Sequence, residues 1–92
     1  MKELKDFFES IKGDHRIGPM HVSMYAALLS MRNESAHIAY FSVSRKKLMS
    51  RSKILGKTTY YKCLNDLAEC GFIEYKPEHG PGQTRVRCFQ FN

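Results

Sequence analysis

At Gly71 the apolar period of this chain changes from helical to alternating, and that change limits what it can fold into more than any other feature. Ahead of it, apolar residues recur at the three- and four-residue spacings of amphipathic helices. Behind it, Phe72-Ile73-Glu74-Tyr75-Lys76 alternates as a half-buried strand does, with Ile73 and Tyr75 on one face. Gly71 itself suits the left-handed position that ends a helix. Helices first and strands after, within 92 residues, predict one α+β domain.

The helical part divides at its breakers. Leu4, Phe7, Phe8 and Ile11 lie at i, i+3, i+4 and i+7 and predict an amphipathic helix over residues 2–12, stopped by Gly13 and Asp14. Gly18-Pro19 opens a second helix, with Pro19 at its first position. It should end at Met31 or Arg32, with Val22, Tyr25, Leu28 and Leu29 as its buried stripe, Met24 and Met31 as core filler flanking it, and Asn33 to His37 as a polar loop. Tyr40 to Val43 alternates as a short strand with Phe41 and Val43 inward. Ser44 then caps a short helix running to Ser50 or Ser52, with Leu48 and Met49 inward. Lys53-Ile54-Leu55-Gly56 reads as a turn with one or two apolar plugs. A further helix runs from Lys57 to Cys70 with Tyr60, Cys63 or Leu64, Leu67 and Ala68 toward the core.

Beyond the first C-terminal strand, residues 77–83 are dense in Pro and Gly and predict a loop. Thr84 to Phe91 predicts the second strand. Its facing is ambiguous, because Val86 and Cys88 argue for one side and Phe89 and Phe91 for the other. A bulge or bend near Cys88 would reconcile them.

Charge is distributed unevenly over this pattern. Between Ser35 and Asn65 there is no Asp or Glu, although the chain has nine, and the net charge of +6 is concentrated there. Arg45, Lys46, Lys47, Arg51, Lys53, Lys57 and Lys62 all lie in that stretch, on two helix patterns joined by a turn. A basic surface organised in this way is the electrostatic footprint of a nucleic-acid binder.

The element order over residues 40–91 is strand, short helix, turn, longer helix, strand, loop, strand, which is the order of a winged helix-turn-helix. Residues 44–70 form the helix-turn-helix and 72–91 the wing hairpin, with the helix of 19–32 as scaffold and that of 1–12 as an accessory. Such a motif sets its second helix in the major groove of double-stranded DNA. With Tyr60, Leu64 and Leu67 inward, Lys57, Thr58, Thr59, Tyr61, Lys62 and Asn65 face outward, and these are residue types that read bases or hold phosphates. Arg45, Lys46 and Lys47 at the start of the preceding helix, with Arg51 and Lys53 near the turn, are placed for phosphates. Arg85 and Arg87 share one strand face of the wing and can approach a backbone together.

The stretch FSVSRKKLMSRSKILGKTTYYKCLNDLAECGFIEYK, residues 41–76, resembles a winged-helix DNA-binding domain. More narrowly, PMHVSMYAALLSMRN, VSRKKLMSRSKI and KTTYYKCLNDLAECGFIEY are similar to segments of small winged-helix proteins of Bacteroidetes, often carried on mobile elements. The resemblance implies a DNA-binding role in transcription or in element transfer and excision. Gly56 stands where a capping side chain is common in such motifs, and glycine is an acceptable substitute there.

Other chemistries are poorly supported. Gly56-Lys57-Thr58 matches the end of a phosphate-binding loop, but the position five residues before Gly56 is Arg51 rather than glycine. The four histidines have no metal-ligand spacing, and His21 reads as a satisfied surface residue. Cys63, Cys70 and Cys88 are odd in number without a C-x-x-C pair, so reduced thiols are expected rather than a disulfide framework or a zinc site. No nucleophile has a base beside it in sequence, and neither an enzyme nor a cofactor is expected. No apolar run reaches the roughly 18 residues of a membrane span, and the charged N-terminus lacks a signal peptide's apolar stretch, so a cytoplasmic protein is expected. Two further readings are a winged-helix protein interaction module, its basic face idle or used on an acidic protein, and a binder of RNA or single strands, for which Tyr61, the exposed one of the adjacent Tyr60 and Tyr61, would offer stacking. Leu4, Phe7, Phe8 and Ile11 are expected to pack on their own domain, with a homodimer interface as the alternative.

Overall fold

In the computed structural model, which describes residues 2–34, 40–77 and 83–88, the second helix, α2 (Pro19–Glu34), runs through the centre of the core. Its Met24, Tyr25, Leu28 and Leu29 are fully buried. Met24 and Met31, which flank the predicted stripe, are buried with it as the core filler expected of them, because α2 is covered on more than one side. α1 (Lys2–Ser10) packs against it through Phe7. The helices α3 (Arg45–Ser52) and α4 (Lys57–Glu69) pack on it elsewhere, as does strand β3 (Gln83–Cys88). α2 also continues to Glu34, past the expected end at Met31 or Arg32, so Asn33 and Glu34 belong to the helix rather than to a loop. The remainder of that loop, residues 35–37, lies outside the described residues.

α1 ends at Ser10, two residues before the expected stop, and Gly13 carries the positive φ of 74° that turns the chain. Arg16 then pins the turn: its backbone N–H and guanidinium both donate to the Asp14 carboxylate, holding that carboxyl down at about 2. The inner face of α1 is set by an aromatic cluster. The Phe7 ring stacks on Tyr25 at a centroid distance of 4.1 Å and meets the edge of Phe72 at 4.9 Å. Leu4 and Ile11 are partly buried against the same core, while Phe8 remains 47% exposed.

Helices α3 and α4 end in the same way. At the end of α3, Lys53 takes the left-handed conformation (φ 63°), and the Ile54 N–H reaches back to the Met49 carbonyl. At the end of α4, Gly71 does so (φ 83°), and the Phe72 N–H reaches the Leu67 carbonyl. Both are Schellman ends, and in both the next side chain, Ile54 or Phe72, is buried as the apolar seal. Ser44 caps α3 as expected, its hydroxyl accepting from the Lys47 N–H at 3.0 Å. On α4, Tyr60, Cys63, Leu64 and Leu67 are all buried, so Cys63 and Leu64 share the core, and Ala68 is half-buried.

Strands β1 (Phe41–Ser44), β2 (Ile73–Pro77) and β3 form an antiparallel sheet in the order β1-β3-β2. Register places Phe41, Val86 and Tyr75 in one row and Cys88 beside Ile73, all on the face toward the helices. Val86 and Cys88 therefore point inward, which settles the facing of β3. The pairing is regular through Cys88, with no bulge over residues 83–88; Phe89 and Phe91 lie outside the described residues. Pro77 and Gln83 belong to strands, and the expected loop is thereby narrowed to residues 78–82, also outside the described residues. Among the described residues no helix is long and apolar enough to cross a membrane.

The Tyr60 hydroxyl is buried without a hydrogen-bond partner among the described residues, and burial pushes the phenol up to about 12. Tyr60→Phe removes that cost and keeps the ring. It should raise stability by about 1 kcal/mol, read as a higher midpoint in thermal unfolding. A lower midpoint would mean that the hydroxyl is satisfied in solution.

Candidate nucleic-acid interface

Burial of Tyr60, Cys63, Leu64 and Leu67 leaves Lys57, Thr58, Tyr61, Lys62 and Asn65 exposed as a stripe along α4. Thr59 is half-buried at the edge of the stripe rather than fully outward. α3, which packs with α4 on α2, leaves Lys46, Lys47 and Ser50 exposed. Together with Ser44 and Arg51 they line an open cleft of about 430 Å³. Lys46, Lys47, Lys53 and Lys57 are exposed and form no ion pair among the described residues.

The other basic residues of this segment are engaged. The Arg45 Nη1 donates to the Tyr61 hydroxyl at 3.2 Å, joining the start of α3 to the α4 stripe. Arg51 is half-buried, and its Nη1 donates to the Ser30 hydroxyl of α2 at 2.9 Å. Arg51 thus braces the scaffold where the sequence places it among the phosphate contacts. Ser23 and Ser52 add a second tie between α2 and α3, since the Ser23 hydroxyl donates to the Ser52 carbonyl. Asn65 accepts a hydrogen bond from the Tyr75 hydroxyl, which couples the α4 stripe to β2 and orients the amide.

A triad behind the stripe was not legible from spacing. His21 is buried, not the surface residue expected of it, and both ring nitrogens are occupied. Nδ1 accepts from the Gly18 N–H at 3.0 Å, and Nε2 lies 2.8 Å from the Asp66 carboxylate. Nδ1 is thus the acceptor and Nε2 carries the proton. His21 performs for α2 what a glutamate at the third position does in a capping box. Lys62 Nζ binds the same Asp66 oxygen at 2.8 Å. The Lys62 bond, then the His21 bond, hold the Asp66 carboxyl below its ordinary value, and Asp66 in turn raises that of Lys62. A depressed folded-state carboxylate contributes stability in full above the unfolded value, about 4. That contribution is lost as pH falls through the folded value. Asp66→Asn should therefore cost about 1 kcal/mol near neutral pH and flatten the acid limb of a stability–pH curve. An unchanged acid limb would remove this role.

Arg85 and Arg87 are exposed on the sheet face turned away from the helices, so they form a second cluster rather than joining the first. Lys76, outside the basic residues that the charge pattern singles out, is the register partner of Arg85 on that face. Its position in alternation with Ile73 and Tyr75 was a sufficient signal. The Tyr40 ring lies under both flanking cations, 5.6 Å from Lys76 Nζ and 5.9 Å from Arg87 Cζ, with its hydroxyl donating to Glu74.

Burial pushes all three thiols up, Cys88 to about 12, so none is a ready nucleophile. No group of three or more His, Cys, Asp or Glu among the described residues could hold a metal ion. Comparison with known proteins finds no matching family model, no matching curated protein and no matching solved structure.

Proposed function

We propose that this chain is a winged helix-turn-helix protein that binds double-stranded DNA, with α4 in the major groove. The carrying observation is the exposed stripe of Lys57, Thr58, Tyr61, Lys62 and Asn65, tied by the Arg45–Tyr61 hydrogen bond to a helix α3 whose exposed lysines form no ion pair among the described residues. Strand order β1-β3-β2, with the β2–β3 hairpin following α4, is compatible with that architecture. In this reading Lys46, Lys47, Lys53 and Lys57 hold phosphates, while Thr58, Tyr61 and Asn65 meet base edges. Arg85 and Arg87 of the wing, with Lys76, approach the neighbouring backbone. A role in transcription, or in transfer and excision of a mobile element, is what the sequence resemblance adds.

A salt titration tests the reading. Affinity for duplex DNA should fall with a log–log slope of about −0.9 for each phosphate neutralised. The slope should become shallower by about one contact in Lys57→Ala. Duplex affinity that is weak and indifferent to salt would leave the basic face to an acidic protein instead.

A further inference from the structure

Leu55 is 94% exposed, far more than Phe8, Met20 or Tyr61, the other exposed large apolar side chains among the described residues. The turn explains how it comes to point outward. Its neighbour Ile54 is the buried seal of the α3 end. Gly56 follows in extended backbone and begins α4 with open space where a side chain would stand. Leu55 therefore contributes nothing to the core, yet it occupies the tip of the helix-turn-helix, flanked at two residues on either side by exposed Lys53 and Lys57.

A branched apolar side chain between two cations is poorly suited to water or to phosphate. It suits the one apolar feature in the major-groove code, the 5-methyl group of thymine. We propose that Leu55 is a specificity-determining residue that packs on a thymine methyl at the edge of the site, an inference that rests on the DNA-binding reading above. Lys53 and Lys57 would hold phosphates on either side, and Leu55 would exclude water from the methyl between them.

The experiment uses the full chain and a duplex that it enriches from a random-sequence DNA pool. Each thymine of that duplex is replaced in turn by uracil, which keeps the hydrogen-bonding edge and lacks only the methyl. One replacement should weaken wild-type binding by about fourfold, the factor that one buried methyl group confers. Leu55→Ala should bind the thymine and uracil forms of that position equally, with an unfolding midpoint like that of the wild type, since the side chain packs on nothing. A selected site without thymine, full tolerance of uracil by the wild type, or a thymine preference that survives Leu55→Ala overturns the proposal while leaving DNA binding intact. Failure to enrich any duplex, with no salt-dependent binding, overturns the functional reading and this inference together.

Discussion

Phe7→Ala should destabilise the protein by about 3–5 kcal/mol, while Phe8→Ala, one residue along the same helix, should cost less than about 1 kcal/mol. The contrast follows from packing. Phe7 has no exposed surface and stacks on Tyr25 while meeting the edge of Phe72, so truncation opens a cavity where α1, α2 and the residue leading into β2 meet. Phe8 touches Phe7 at a tilted 6.2 Å and remains half in water. A domain of this size has roughly 5–15 kcal/mol of stability in all, so loss of Phe7 consumes a large share. Chemical unfolding of both variants measures the difference, and sedimentation of the wild type adds an independent check. If Leu4, Phe7, Phe8 and Ile11 instead joined two protomers, Phe8→Ala would be the costly change and would alter the association state. Equal costs for the two variants would remove the assigned inner face of α1.

The difference between adjacent phenylalanines also marks where sequence reasoning stops. Period was enough to place the helices, because Leu4, Phe7 and Ile11, or Tyr60, Leu64 and Leu67, repeat on one face and cannot all be left in water. Local chemistry was enough for Ser44 and Gly71, whose capping roles need only their own neighbours. What period cannot express is a contact between elements distant in the chain. Arg51 is indistinguishable in sequence from Lys46 or Lys47, yet the packing of α3 on α2 turns it toward Ser30. His21 has the spacing of a surface histidine, and only the packing of α4 brings Asp66 to its ring. Lys53 carries the left-handed turn that glycine or asparagine would announce, and it does so because burying Ile54 outweighs a strained residue at the surface. Ile54 and Leu55 are equal candidates as plugs by composition, and only the geometry of that turn assigns one to the core and the other to solvent.

Among the basic residues, this partition gives the second large effect. Simultaneous Lys46→Glu and Lys47→Glu should weaken duplex DNA binding by at least about sixtyfold at 0.1 M salt, the combined loss of two phosphate contacts at a log–log slope of −0.9 each. Repulsion between the new carboxylates and the backbone adds to it. Stability should change little, since both side chains are exposed on α3 and make no ion pair among the described residues. New acidic groups in the first turn of a helix also favour its dipole, by a few tenths of a kcal/mol. Arg51→Ala is the counterpart. It should lower stability by about 1 kcal/mol through loss of the Ser30 bond, with a salt slope close to that of the wild type. Anisotropy titrations across a salt series, paired with unfolding curves for the same proteins, separate the two behaviours. If Arg51→Ala reduced the slope as strongly as the double reversal, Arg51 would have to leave Ser30 on binding. If the double reversal left both affinity and slope unchanged, the α3 cleft would not face DNA at all.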